Sequence, residues 1–255
     1  MRVHVVSDVH GSVDALRRAG EGADALIVLG DLLLFVDYAD HSRGIMGDLF
    51  GAAAVGEFVA LRTAQRFADA STFTRGLWAS LGGDPREVIT DAARRQYAEL
   101  FAAMPTPTYL TYGNVDVPAL WPEFLRPGLT VLDGQTTEIG GWKFGFVGGG
   151  LTSPMRTPYE LTPQEHAERV AALGPVDVLC GHVPPAVAEL RYDTVARRFE
   201  VGSEATLAAI RDTQPRYALF GHVHQPLQGR LRIGRTECVN VGHFRGSGEP
   251  FVLRW

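Results

Sequence analysis

Val3-His4-Val5-Val6-Ser7-Asp8-Val9-His10 opens the chain, and Ala25-Leu26-Ile27-Val28-Leu29-Gly30-Asp31 follows after one short polar stretch. Each is a run of β-branched and aliphatic residues that ends abruptly in an acid. Such runs read as buried strands. Between them, Ser12 is placed to cap a helix that carries Leu16 and Arg17 and stops near Gly20 and Gly22. Strand, helix, strand with continuously apolar strands is the βαβ pattern of a parallel sheet. Open sheets of this kind place their ligand sites at strand ends, which is where Asp8, His10 and Asp31 fall.

The pattern changes from about residue 37 to 104, where Ala, Arg, Phe and Leu dominate and β-branched clusters are scarce. Residues 57–70 and 87–103 carry apolar residues at helical spacing, and Asp84-Pro85 has the cap-then-proline order of a helix start. This segment reads as a helical insertion of two to four helices, since a connection so long needs structure of its own. Its aromatic residues, among them Phe50, Phe58, Trp78 and Phe101, are expected in a local core, in a cap over a pocket or on a homodimer surface. Strands resume at 107–112 and recur at 129–132, 136–139, 142–147, 177–180, 217–220, 230–233, 236–241 and 250–254. Two helices intervene, one opened by the capping-box pattern Thr162-Pro163-Gln164-Glu165 and one starting at Ser203. The expected class is α/β with a mixed sheet or two packed sheets, a single domain over 1–255 interrupted by the insertion at about 37–104.

Composition narrows the function. The 255 residues carry a net charge of −5, so there is no basic field and nucleic acid is not the expected partner. The two cysteines, Cys180 and Cys238, sit apart in apolar runs. That excludes a disulfide framework and a zinc finger, and it fits buried thiols in a reduced cytoplasm. No export signal is visible in the opening residues. The stretch that stands out as most apolar, Ala25–Val36, is interrupted by Asp31 and falls short of the ~20 residues that cross a bilayer. The expectation is a cytoplasmic protein without a membrane partner.

Five segments share one design, an apolar strand followed at once by a metal-ligand residue type. They are Val6-Ser7-Asp8-Val9-His10, Leu29-Gly30-Asp31, Tyr112-Gly113-Asn114-Val115-Asp116, Cys180-Gly181-His182 and Phe220-Gly221-His222-Val223-His224. Alone, a Gly-Asp is usually a turn. All five together, in this order, are specific. Carboxylate, imidazole and amide oxygen suit borderline divalent ions such as Mn²⁺, Fe²⁺, Ni²⁺ or Zn²⁺. The chemical logic is a two-metal centre, in which ions about 3.5–4 Å apart share a carboxylate, activate a hydroxide and clamp a phosphate.

Asp8-x-His10, Gly30-Asp31, Gly113-Asn114, Gly181-His182 and Gly221-His222-x-His224 resemble the five motifs of the calcineurin-like metallophosphoesterases. The resemblance implies a four-layer α/β/β/α sandwich of two mixed sheets. It implies that Asp8, His10 and His224 hold a first ion, that Asp31 bridges, and that Asn114, His182 and His222 hold a second, with Mn²⁺ the foremost candidate. A hydroxide between the ions would attack phosphorus. Many members have a histidine after the Gly-Asn of the third motif, where it helps protonate the leaving group; here the position is Val115. General acid catalysis is typically worth 10²–10⁴-fold, so substrates with good leaving groups are favoured. Asp116 is expected to orient its neighbours.

His243 lies in Val239-Asn240-Val241-Gly242-His243-Phe244-Arg245 and is a candidate for the missing acid. Arg156 and Arg245 are candidates to bind phosphate oxygens through a planar fork. Gly148-Gly149-Gly150 could form a loop over the site but lacks the Lys-Ser/Thr of a P-loop. His41 is expected to be a solvated helix-start residue, His4 a satisfied core or edge residue, and His166 an exposed one. The expected activity is hydrolysis of a P–O bond in a phosphodiester or small phosphorylated metabolite, with diesters ahead of monoesters. The alternative is a weakly catalytic protein-binding scaffold on the same fold.

Overall fold

Val3, Val5 and Val6 have no room for water on either face, and the strand Arg2–Val6 that carries them is buried almost from end to end. It pairs in parallel with Ala25–Val28, Val3 opposite Ala25 and Val6 opposite Val28. The helix Val13–Arg18 makes the crossover. Thr108–Leu110 and Leu129–Val131 extend the sheet in parallel, and Phe251–Arg254 closes its other edge antiparallel. The sheet therefore has five strands. A second sheet has six, in the order Arg230–Ile233, Thr236–Asn240, Tyr217–Phe220, Val178–Gly181, Trp142–Val147, Gln135–Ile139. Its central pairs are parallel and its outer pairs antiparallel. The computed structural model describes residues 1–255. The class is α/β with two mixed sheets.

Alternation along the strands decides where the core lies. Phe144, Phe146, Val178, Cys180, Leu219 and Val239 of the second sheet share one buried cluster with Val3, Val5 and Ile27 of the first. The intervening residues Val147, Leu179, Ala218 and Phe220 turn to the opposite face, against Val170 and Leu173 of one helix and Ile210 of another. Fully burying a side chain of this size contributes about 1.5–3 kcal/mol, so both faces of the second sheet are firmly held. Cys180 and Cys238 are free thiols inside these two clusters.

The helices on that outer face, Pro163–Leu173 and Glu204–Thr213, have the caps their sequences predict. Thr162 and Glu165 form a complete capping box, and Ser203 accepts from the Thr206 N–H. Ser12 differs from expectation: it stands at the N-cap of its helix but makes no side-chain cap bond. His166 is also corrected. It is 2% exposed, and its Nδ1 faces Ser203 Oγ at 3.2 Å. A first-turn position leaves a helix residue exposed only on the outward face, and His166 is on the inward one.

The chain divides into two units, Met1–Leu32 with Leu100–Trp255, and Leu33–Glu99. In the second, helices occupy Gly44–Thr63 and Phe67–Ser80, and a third, Pro85–Ala103, begins there. The helix expected over 57–70 is broken between Thr63 and Phe67, where Gln65 takes φ 58°. Phe35 and Phe50 pack their rings on Trp78, at 6.3 and 4.8 Å. The Gln96 amide brackets the backbone of Leu34, accepting from its N–H and donating to its carbonyl. Phe101, expected in this core, instead packs against Trp121 and Phe124 of the first unit.

Gly44–Thr63 is, by length and composition, apolar enough to cross a membrane, more so than the stretch singled out from the sequence. It is not one straight helix. Gly51 has φ 77° and ψ 163°, and the part beyond it, Ala52–Thr63, rises roughly 18 Å, well short of a ~30 Å hydrocarbon core.

Candidate metal centre

Five strand ends converge here. Those of the first sheet lead into Asp8, Asp31 and Asn114, and those of the second into His182 and His222. Parallel pairing brings strand ends to one edge, and backbone bonds lace the following loops together. Asp8 N–H donates to Gly30 O (3.1 Å), His10 N–H to Asp31 O (2.9 Å) and Gly221 N–H to His182 O (3.0 Å).

The side chains fall into two groups that meet at Asp31. On one side His10 Nε2 stands 3.8 Å from Asp31 Oδ2, 3.9 Å from Asp8 Oδ1 and 3.3 Å from His224 Nε2. On the other, His182 Nε2 stands 3.4 Å from Asp31 Oδ1 and 3.0 Å from Asn114 Oδ1, and His222 Nδ1 is 2.9 Å from the same Asn114 oxygen. The two oxygens of one buried carboxylate thus face separate sets of donors.

The local backbone is unusual. Asp8, His10, Asp31 and His222 all have φ between 40° and 67°, the left-handed region that non-glycine residues avoid. Strain of this kind gathers at functional sites because the surrounding structure holds it in place. Two of the glycines before the ligands are required by contact. A Cβ on Gly113 would strike Asp31 Oδ1, and one on Gly221 would strike Ser7 Oγ and Asp8 Oδ2.

The donor set calls for a cation. His182 Nδ1 is 2.9 Å from the Leu29 carbonyl, which only accepts, so that nitrogen carries the proton. In the neutral ring, Nε2 then points a lone pair at two oxygens. This is the arrangement by which a carbonyl fixes the tautomer of a metal-binding histidine. Asp8 Oδ1 is buried without a hydrogen-bond partner and looks toward His224 Nε2 at 3.3 Å. Protons answer the same demand. Burial opposes the charge on His182, yet Asp31 and Asp8 raise its pKa to about 9. Burial likewise opposes the charge on Asp8, but His224, then His182 and His10, hold its carboxyl well below the usual range. Burial, then His182, pushes His222 down to about 4, leaving it neutral and able to bind a metal. The residues present fit divalent ions.

Asp116 does what an orienting residue does. Its carboxylate accepts the N–H groups of Asp31 (2.8 Å), Leu32 (3.0 Å) and Gly113 (2.8 Å), tying the loops of the second and third segments. Burial, reinforced by the charge of Asp31, raises its pKa to about 7. Val115 donates its backbone N–H to Asp31 Oδ1 at 3.0 Å.

His243 is brought to the site. Its ring is parallel to that of His224 with centroids 4.0 Å apart, and lies edge-on to His10 at 5.8 Å. Arg245 is held there by a bond from Nη1 to the His10 carbonyl (2.7 Å). Arg156 is exposed, in a turn, and makes no hydrogen bond or ion pair with the cluster. Asn240 is a supporting residue that the candidate set lacks. It donates to the Gly221 and Val223 carbonyls and so supports the His222–His224 loop. An Asn ending a buried strand was the available signal. His41 sits in the second unit, its ring beside Gly56.

The chain belongs to the calcineurin-like phosphoesterase family, whose profile matches residues 1–226. That membership, with the ligand-type cluster, points to a metal-dependent phosphoester hydrolase. Among solved structures, one is 18% identical with a TM-score of 0.59, covering 99% of this chain and 98% of its own. TT1561 of Thermus thermophilus is 15% identical with a TM-score of 0.53, covering 99% of this chain and 98% of its own. Both likenesses are of fold. No curated protein matches the chain.

Proposed function

We propose that the protein is a dinuclear metal-dependent phosphoesterase acting on a phosphodiester or a small phosphorylated metabolite. The observation that carries this reading is the division of Asp31, with Oδ2 toward His10 and Oδ1 toward His182. Asp8, His10 and His224 would hold one ion, Asn114, His182 and His222 the other, and Asp31 both. Divalent ions bound there would lower the pKa of water and take up charge on the phosphate oxygens.

The chain's own residues supply the rest. Leu29 O orients His182, Asp116 fixes the backbone of Asp31, and the Val115 N–H steadies Asp31 Oδ1. Arg245, anchored on His10 O, keeps a positive charge beside the first group. Val115 has no proton to give. A leaving group that departs as a stable anion suffers least from that lack, which favours an activated diester. Mn²⁺ suits the mixed oxygen and nitrogen donors. The unpaired buried thiols fit a reducing cytoplasm.

The test is Mn²⁺-dependent hydrolysis of an aryl phosphodiester beside the matching monoester, with Asp31→Asn as control. Turnover of the diester ahead of the monoester, lost in Asp31→Asn, is the expected result. A metal-loaded, folded protein that turned over neither would contradict it.

A further inference from the structure

His243 stands outside the five motifs and beyond the residues the family profile matches. The structure fastens the backbone on both sides of it. Upstream, Asn240 donates to the Gly221 and Val223 carbonyls, and its Oδ1 accepts the Gly242 N–H at 2.9 Å, so the segment is fastened to the loop carrying His222 and His224. Downstream, the Phe244 N–H donates to Ser7 O (3.0 Å), the Arg245 N–H to Asp8 O (3.1 Å) and Arg245 Nη1 to His10 O (2.7 Å). Both ends are therefore pinned to the loops that carry Asp8, His10 and His224. Between these anchors the His243 imidazole makes no hydrogen bond, and nitrogens of His10, His224 and His243 lie within 4.8 Å of one another.

We infer that His243 supplies a further imidazole ligand to the ion position of Asp8, His10 and His224. This rests on the metal-dependent reading above and deepens it. The first position would then be richer in nitrogen than the second, so Zn²⁺, Fe²⁺ or Co²⁺ would gain there relative to Mn²⁺. An imidazole nitrogen bound to metal has no lone pair left for a proton, so this role replaces the acid role expected for that atom from the sequence.

The test is Co²⁺ titration of the full chain, followed by calorimetry and by visible absorption, in the wild type, His243→Phe and His243→Ala. Phenylalanine keeps a flat ring against His224 but offers no nitrogen. The expected result is that both variants weaken one of two binding steps by roughly 10–100-fold or more and change the Co²⁺ spectrum alike. Wild-type affinity and spectrum in His243→Phe, with a loss only in His243→Ala, would reduce His243 to a stacking partner and overturn the inference. A wild type that binds a single ion would sink the dinuclear reading while leaving His243 judged on that ion. A wild type that binds none would sink both.

Discussion

The carboxylate of Asp116 accepts the backbone N–H of Asp31 at 2.8 Å, and Asp31 is the one side chain that faces both halves of the metal-ligand cluster. Acting through the backbone, Asp116 thereby sets the position of the residue at the centre of the cluster. Two more N–H groups, of Leu32 and Gly113, converge on the same carboxylate.

Asp116→Ala leaves those three N–H groups without their acceptor. Unpaired buried donors cost about 1–3 kcal/mol each, with relaxation and water recovering part. A loss of roughly 3 kcal/mol is expected in urea denaturation, with weaker metal binding. Stability within about 0.5 kcal/mol of wild type would show that the clip is not structural.

His182→Ala removes the imidazole whose Nε2 faces both Asp31 and Asn114, and lowers bound metal and hydrolysis together. His4→Ala is the contrast. His4 is buried on the first strand with Nδ1 2.7 Å from Ala19 O, far from any ligand-type group in its contacts. That variant should lose about 2 kcal/mol of stability through the cavity it leaves yet keep metal content and rate per folded molecule. Metal analysis beside a thermal melt separates the two, and a fully metallated, active His182→Ala protein would contradict the assignment.

Gly221→Ala places a methyl against Ser7 Oγ and Asp8 Oδ2. Overpacking of this kind costs about 1–3 kcal/mol, and here it displaces a ligand. Calorimetry should show weaker binding of one ion, with the second step preserved. Equal loss at both steps would point to general unfolding instead.

His166 gives a pH dependence far from the metal chemistry. Burial, opposed by the nearby Asp133 and assisted by Arg169, lowers its pKa to about 4 from an ordinary 6.5. Between those values the unfolded chain binds the extra proton, so stability falls as pH drops through that window. The full effect is about 3 kcal/mol. His166→Phe should flatten that part of the stability–pH curve relative to wild type, and an unchanged slope would remove His166 as its source.

Much of this fold is legible in the sequence. Largely apolar runs leading into Asp8, Asp31 and His182 mark strands whose ends carry polar residues, because a strand buried on both faces takes few polar residues before it ends; His4, inside the first, has the Ala19 carbonyl as its partner. Other features depend on information that periodicity does not hold. The inward turn of His166 is set by the packing of its helix on Ser203. The break at Gln65 needs a left-handed residue that sequence does not announce. Arg156 and Arg245 have the same chemistry, and only the pairing of Arg245 with Asp8 O and His10 O distinguishes them. The left-handed backbones of Asp8, His10, Asp31 and His222 are invisible in a motif, yet they aim the side chains.

The most direct test of the dinuclear claim is the number of ions each chain binds. Mn²⁺ bound at saturation, counted by elemental analysis after removal of free metal, should be two per wild-type chain and one or fewer in Asp31→Asn, since the amide keeps one oxygen but gives up the other, and with it the negative charge that both groups share. A single ion in the wild type, or two undiminished in folded Asp31→Asn, would contradict it.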